Sequence, residues 1–90
     1  MRPATRALAL ARLGRLEEAE TLAREAVGYA EGTQFLGYHA EALLVLAEVL
    51  RLVGRPADAV TALEEAAGVF DLKGNVVSAA KARAVLEELG

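Results

Sequence analysis

The sequence predicts an all-α fold, a stack of antiparallel helical hairpins with five helices in about two and a half repeats. Three observations predict it. Apolar residues recur at steps of three and four along each long segment, which places them on one helix face. Glycine followed by arginine interrupts that pattern twice, at Gly14-Arg15 and Gly54-Arg55. Small residues recur forty positions apart: Ala7 with Ala47, Gly14 with Gly54, Ala19 with Ala59 and Ala26 with Ala66. A fixed period of this length is the signature of stacked helical units.

The first helix begins near Pro3, a residue suited to a helix first turn. Its apolar stripe is Ala7, Leu10 and Leu13, and Gly14-Arg15 turns the chain. Glu17 and Glu18 then occupy the first turn of the second helix, where the dipole favours negative charge. That helix runs to about Ala30, with Ala19, Leu22, Ala23, Ala26, Val27 and Ala30 inward. Gly32 is placed to end it, and Thr33 to cap the third helix. The third helix, Thr33 to Val53, buries Leu43, Leu46, Ala47, Leu50 and Val53, and contains Gly37 as a close-packing point or a kink.

Gly54 stops the third helix, since glycine takes a left-handed C′ conformation without a Cβ clash. Pro56 fits the first position of the fourth, with Asp58 in its first turn. Arg55 alone remains as the turn, so these two helices must lie antiparallel. The fourth helix turns Ala59, Leu63, Ala66, Ala67 and Phe70 inward. Lys73-Gly74-Asn75 breaks the chain again, with Asn75 as the N-cap of the last helix. The tail repeats the start of the third helix at an offset of forty-two: Gly74 with Gly32, Ala82 with Ala40, Ala84 with Ala42, Val85 with Leu43 and Leu86 with Leu44. The expected organisation is one domain over residues 1–90: hairpin 3–31, hairpin 33–72, and a capping helix 75–89 without a partner.

Composition narrows the function. The 90 residues include 20 Ala, four aromatics, no Trp, no Ile and no Cys. Such a core relies on close backbone approach and Leu/Val contacts. The lack of cysteine excludes a disulfide framework and a thiolate metal site, and fits a cytoplasmic location. The net charge of −3 offers no global basic field for nucleic acid. Charge is uneven: residues 1–16 carry Arg2, Arg6, Arg12 and Arg15 with no acid, and the remainder carries all 13 acidic residues. An arginine-bearing start free of acid also suits an organelle presequence, but Ala7, Leu10 and Gly14 keep the repeat register, which a cleaved peptide need not do. No apolar run is long enough to span a membrane.

These residues resemble the tetratricopeptide repeat, best over residues 40–71. The family's small positions correspond to Ala47, Ala59 and Ala66, its large apolar positions to Leu43, Leu46, Leu50 and Leu63, and its turn glycine to Gly54. The first repeat keeps Ala7, Gly14, Ala19 and Ala26 and departs at Pro3, Arg6 and Ala23. The proline that usually closes a repeat is replaced by Asp71 and Glu31. The spacing of forty exceeds the family's usual thirty-four and is similar to a long-repeat variant of bacterial signalling proteins. Those include maltose-activator-type helix-turn-helix regulators and some cyclases and ATPases. The resemblance implies a right-handed α-solenoid that mediates protein–protein contacts.

By family position the concave face shows Glu41, Leu44, Glu48, Arg51 and Leu52, with Arg12 and Arg83 at matching positions in the neighbouring repeats. Helix geometry agrees for Glu41 and Glu48, seven apart on the side away from Leu43, Leu46 and Leu50. The functional expectation is a groove of mixed charge for a helix or extended peptide of a protein partner; a solvated charged face is the plainer alternative.

No catalytic, cofactor-binding or metal site is expected. His39 and Glu41 are two apart and do not face each other on a helix. Glu17-Glu18, Glu64-Glu65 and Glu87-Glu88 diverge by about 100° per residue, as adjacent helical positions must. Phosphate-binding glycine loops and nucleophile elbows are absent. The expected function is a non-enzymatic interaction scaffold, the C-terminal interaction or sensor module of a larger bacterial regulator. The alternatives are a structural segment buttressing an ATPase or cyclase domain, or an oligomerisation module. With so few repeats, self-association through an exposed end, or membership of a longer array, is also expected.

Overall fold

Five helices carry the chain in the computed structural model, which describes residues 3–32 and 36–89. They are α1 (Pro3–Arg12), α2 (Leu16–Glu31), α3 (Leu36–Val53), α4 (Pro56–Lys73) and α5 (Val76–Leu89). No strand occurs among the described residues. The expected Thr33 cap and the packing role of Gly37 lie outside what is described.

Three turns share one construction. Gly14, Gly54 and Gly74 have φ of +85°, +90° and +81°. The residue after each glycine donates its N–H to the carbonyl five positions back: Arg15 to Leu10 at 3.0 Å, Arg55 to Leu50 at 2.9 Å and Asn75 to Phe70 at 2.9 Å. Each glycine donates to the carbonyl three back, at Ala11, Arg51 and Asp71. This pair of bonds satisfies carbonyls that a helix end would otherwise leave open. A Cβ at such a backbone angle costs roughly 1–2 kcal/mol. Gly32 differs from Gly74, its counterpart in the sequence register. It ends α2 at φ −81°, in the right-handed region, where glycine has no conformational advantage.

Helix starts differ by sequence too. Asn75 Oδ1 accepts from the Ser78 N–H at 3.1 Å, the N-cap geometry expected of it. Arg15 and Arg55 hold the cap positions of α2 and α4 without a side-chain cap bond. Their guanidinium groups instead reach acids in the first turn, Glu18 at 2.7 Å and Asp58 at 2.9 Å. Turn and ion pair therefore recur together, one repeat apart.

The alanine register is a burial register. Ala7, Ala47, Ala19, Ala59, Ala26 and Ala66 are all at most 3% exposed. They belong to one continuous core that includes residues of every helix. The Cα envelope is 34 × 30 × 16 Å. Two helix axes about 8–10 Å apart, with about 2.3 Å of backbone radius on each side, account for the thin dimension as two layers.

Helix α3 is the hub, packed on α1, α2 and α4, whereas α5 packs chiefly on α4. This limits the likeness between the tail and α3. Ala42 and Leu43 are 1% exposed. Their sequence counterparts Ala84 and Val85 are exposed, Val85 by 39%. The tail copies α3's residues, but α5 packs chiefly on one helix where α3 packs on three, so fewer of those residues are enclosed.

Candidate partner-binding groove

The outer arc of α3 carries Glu41, Leu44, Glu48, Arg51 and Leu52, opposite the stripe of Leu43, Leu46 and Leu50 that faces the core. The arc follows from helix geometry once that stripe is buried. Glu41, Arg51 and Leu52 are exposed, and Leu44 and Glu48 are half-buried. Arg12 stands exposed at the last turn of α1. Its charge, though weaker than the other influences, helps to depress the Glu48 pKa across the gap between the helices.

Glu48 and Arg51 form the polar rim. Arg51 Nε donates to Glu48 Oε2 at 3.1 Å, and Arg51 Nη2 bonds the other carboxylate oxygen. The hydrogen bond from Arg51 is the main reason that Glu48 titrates below the ordinary carboxylate value; partial burial opposes it. The same bond raises the Arg51 pKa. Both charges therefore persist at neutral pH. An exposed pair one turn apart adds little to stability, so its consequence is a polar edge of defined geometry.

Beside that edge lies an apolar cleft of about 140 Å³, walled by Leu44, Ala47, Leu63, Val85 and Leu89, with Glu48 and Arg51 at its border. Small-molecule pockets usually begin at about 300 Å³. The cleft suits one apolar side chain of a larger partner. It forms where Val85 and Leu89 of α5 stand across from Leu44 of α3.

Of the residues expected on the concave face, Leu44, Glu48 and Arg51 meet at the cleft, and Arg12 acts on Glu48 through its charge. Glu41 and Leu52 lie on the same helix arc. Arg83 is placed differently: Nη1 donates to Asp71 Oδ1 at 3.4 Å and Nη2 bonds Oδ2, tying α5 to the end of α4. That hydrogen bond holds the Asp71 pKa down and the Arg83 pKa up. Sequence reasoning missed Val85 and Leu89 as cleft walls. The available signal was that both are apolar and four apart, on one side of the last helix.

It also missed a link between hairpins. Arg55 Nη1 donates to Glu20 Oε2 at 2.8 Å, from the second turn to α2. Arg24 Nε donates to the same oxygen at 2.9 Å. The hydrogen bond from Arg24, then those of Arg55, depress the Glu20 pKa against the opposing effect of burial.

His39 is half-buried, with Nε2 enclosed and without a hydrogen-bond partner. Among the described residues no three His, Asp or Glu side chains gather as metal ligands would. No described helix is long and apolar enough to cross a membrane.

Comparison with known proteins agrees with the geometry. The tetratricopeptide-repeat profile matches residues 4–25 and 40–65. The matches together cover more than half of the chain, and they end at Glu25 and Glu65, a pair in the forty-residue register. No curated protein and no solved structure matches the chain. With glycine turns and buried alanines in one register, and a repeat match in each hairpin, the chain belongs to the tetratricopeptide-repeat family.

Proposed function

We propose that this chain is a protein–protein interaction scaffold whose groove over α1, α3 and α5 receives a helix or extended segment of a protein partner. Tetratricopeptide repeats generally mediate such contacts. The observation that carries the reading is the cleft between Leu44, Val85 and Leu89, open at the surface and edged by the Glu48–Arg51 pair. An apolar anchor with flanking charges fits it, in the manner of helix-in-groove recognition. Arg12, Glu41 and Leu52 extend the charged and apolar surface on either side, whereas Arg83 is held by Asp71 at the end of α4. Net charge of −3 favours a protein partner over nucleic acid.

The forty-residue spacing supports a place in a bacterial cytoplasmic signalling or transcriptional regulator, as its C-terminal interaction or sensor module. A helix-turn-helix, cyclase or ATPase sequence encoded upstream of Met1 would support that assignment.

The groove is tested by charge exchange. Peptides selected for binding to the chain should share an apolar anchor flanked by charges. Replacing Glu41→Arg, Glu48→Arg and Arg51→Glu together should weaken their binding at least about tenfold, or about 1.4 kcal/mol. Helix content by circular dichroism should not change, because all three side chains lie on the outer arc. Undiminished binding by the triple variant would rule out the groove.

A further inference from the structure

A second groove lies on hairpin 1, between α1 and α2, and the chain itself shows what fills its equivalent. The cavity is about 430 Å³, with Leu10 and Leu22 in its floor and Arg6, Glu18, Thr21 and Glu25 around them. Moving each forty positions along the chain gives Leu50, Ala62, Leu46, Asp58, Thr61 and Glu65. All six line the groove of hairpin 2, where α2 lies across them with Arg24, Val27 and Glu31, leaving about 240 Å³. Among the described residues, the same groove is thus covered in hairpin 2 and open in hairpin 1.

The covering face of α2 has a definite pattern. Glu20, Arg24, Val27 and Glu31 are spaced i, i+4, i+7 and i+11, one stripe along a helix. Glu20 meets Arg55 at 2.8 Å. Arg24 shares the groove with Asp58 and Glu65, and Val27 is buried against it. Hairpin 1 repeats the receiving side. Arg15 stands where Arg55 stands, 57% exposed and paired within its own turn to Glu18. Glu18 and Glu25 stand where Asp58 and Glu65 stand.

We propose that the groove between α1 and α2 docks an amphipathic helix of a partner that carries the stripe α2 presents to hairpin 2: an acid, an arginine four residues on and an apolar residue three further. The acid meets Arg15, the arginine lies over Glu18 and Glu25, and the apolar residue covers Leu10 and Leu22. A second folded copy of this chain does not supply that stripe, because its own Glu20 and Val27 are engaged by hairpin 2. This surface is separate from the groove over α3, and either can fail without the other.

The test uses the full chain and a synthetic peptide of the Leu16–Glu31 sequence. Short helices are marginal alone, so the peptide is stapled across positions 25 and 29, opposite the stripe. Saturable binding by fluorescence anisotropy is expected, with amide shifts centred on Leu10, Thr21 and Leu22. Arg15→Glu should weaken binding at least fivefold, and a peptide with Glu20→Arg should restore it to that variant. The proposal is overturned by an absence of saturable binding, or by shifts centred on hairpin 2, which would mean displacement of α2. Indifference to the charge exchange would overturn it as well. Sedimentation of the chain alone supplies the remaining check: a dimer that Leu22→Glu dissolves would make a second copy the occupant and refute a partner helix.

Discussion

Leu43→Ala should lower the unfolding free energy by about 2–5 kcal/mol, the range for removing a large side chain from a packed core. Leu43 is 1% exposed, one of the largest fully buried side chains. It lies in α3, which packs between α2 and α4. Its removal leaves a void that three helices would have to close together. An alanine-rich core has few long side chains able to relax into it, so the upper half of the range is expected. Domains of this size have total stabilities of only about 5–15 kcal/mol. Urea titration should therefore show a much lower midpoint with a similar slope. Val85→Ala is the matched control. Val85 is aligned with Leu43 by sequence but is 39% exposed, and its truncation should stay within about 0.5 kcal/mol. Equal losses at the two positions would mean that burial at α5 is wrong.

Ala59→Trp should be the most damaging enlargement. Ala59 is fully buried at the first turn of α4, where the turn through Gly54 and Arg55 brings α3 and α4 together. Overpacking at such a contact costs about 1–3 kcal/mol or more. At about 4–8 °C per kcal/mol for a domain of this length, the melting temperature should fall by at least about 5 °C. Ala57, two residues earlier, is exposed, and Ala57→Trp should leave the melting temperature nearly unchanged. Comparable melting temperatures for the two variants would refute the helix register.

Much of the fold was legible because its signals are set by the backbone. Gly14 and Gly54 appear where only a left-handed residue closes the turn, and Ala7, Ala19, Ala47 and Ala59 where helices approach too closely for larger side chains. Asn75 could be read as a cap because its side chain bonds its own helix, as Asp58 could be read in a first turn. These are local requirements, and the sequence carries them residue by residue.

The candidate site was less legible, since it depends on neighbours that composition does not specify. The resemblance points to Leu44, Glu48 and Arg51, with helix geometry agreeing for Glu48, but the cleft they border needs Val85 and Leu89, which repeat α3's pattern without having α3's surroundings. Arg83 is aligned with Glu41, yet its long side chain finds Asp71 instead. Arg55 reaches Glu20 across thirty-five residues of sequence. Such pairings are chosen among several acids within reach of a flexible arginine, and periodicity does not rank them. Gly32 shows the opposite limit: a glycine aligned with Gly74 whose backbone never takes the left-handed turn.

Alanines in the forty-residue register are the contacts between stacked helices. An alanine-methyl-labelled chain exposed to a soluble nitroxide reports on all of their methyl groups at once. Signals of Ala7, Ala19, Ala26, Ala47, Ala59 and Ala66 should persist, while those of Ala9, Ala57, Ala80 and Ala84, all exposed, should broaden. Uniform broadening across both groups, or loss of the first group while the second survives, would contradict the account.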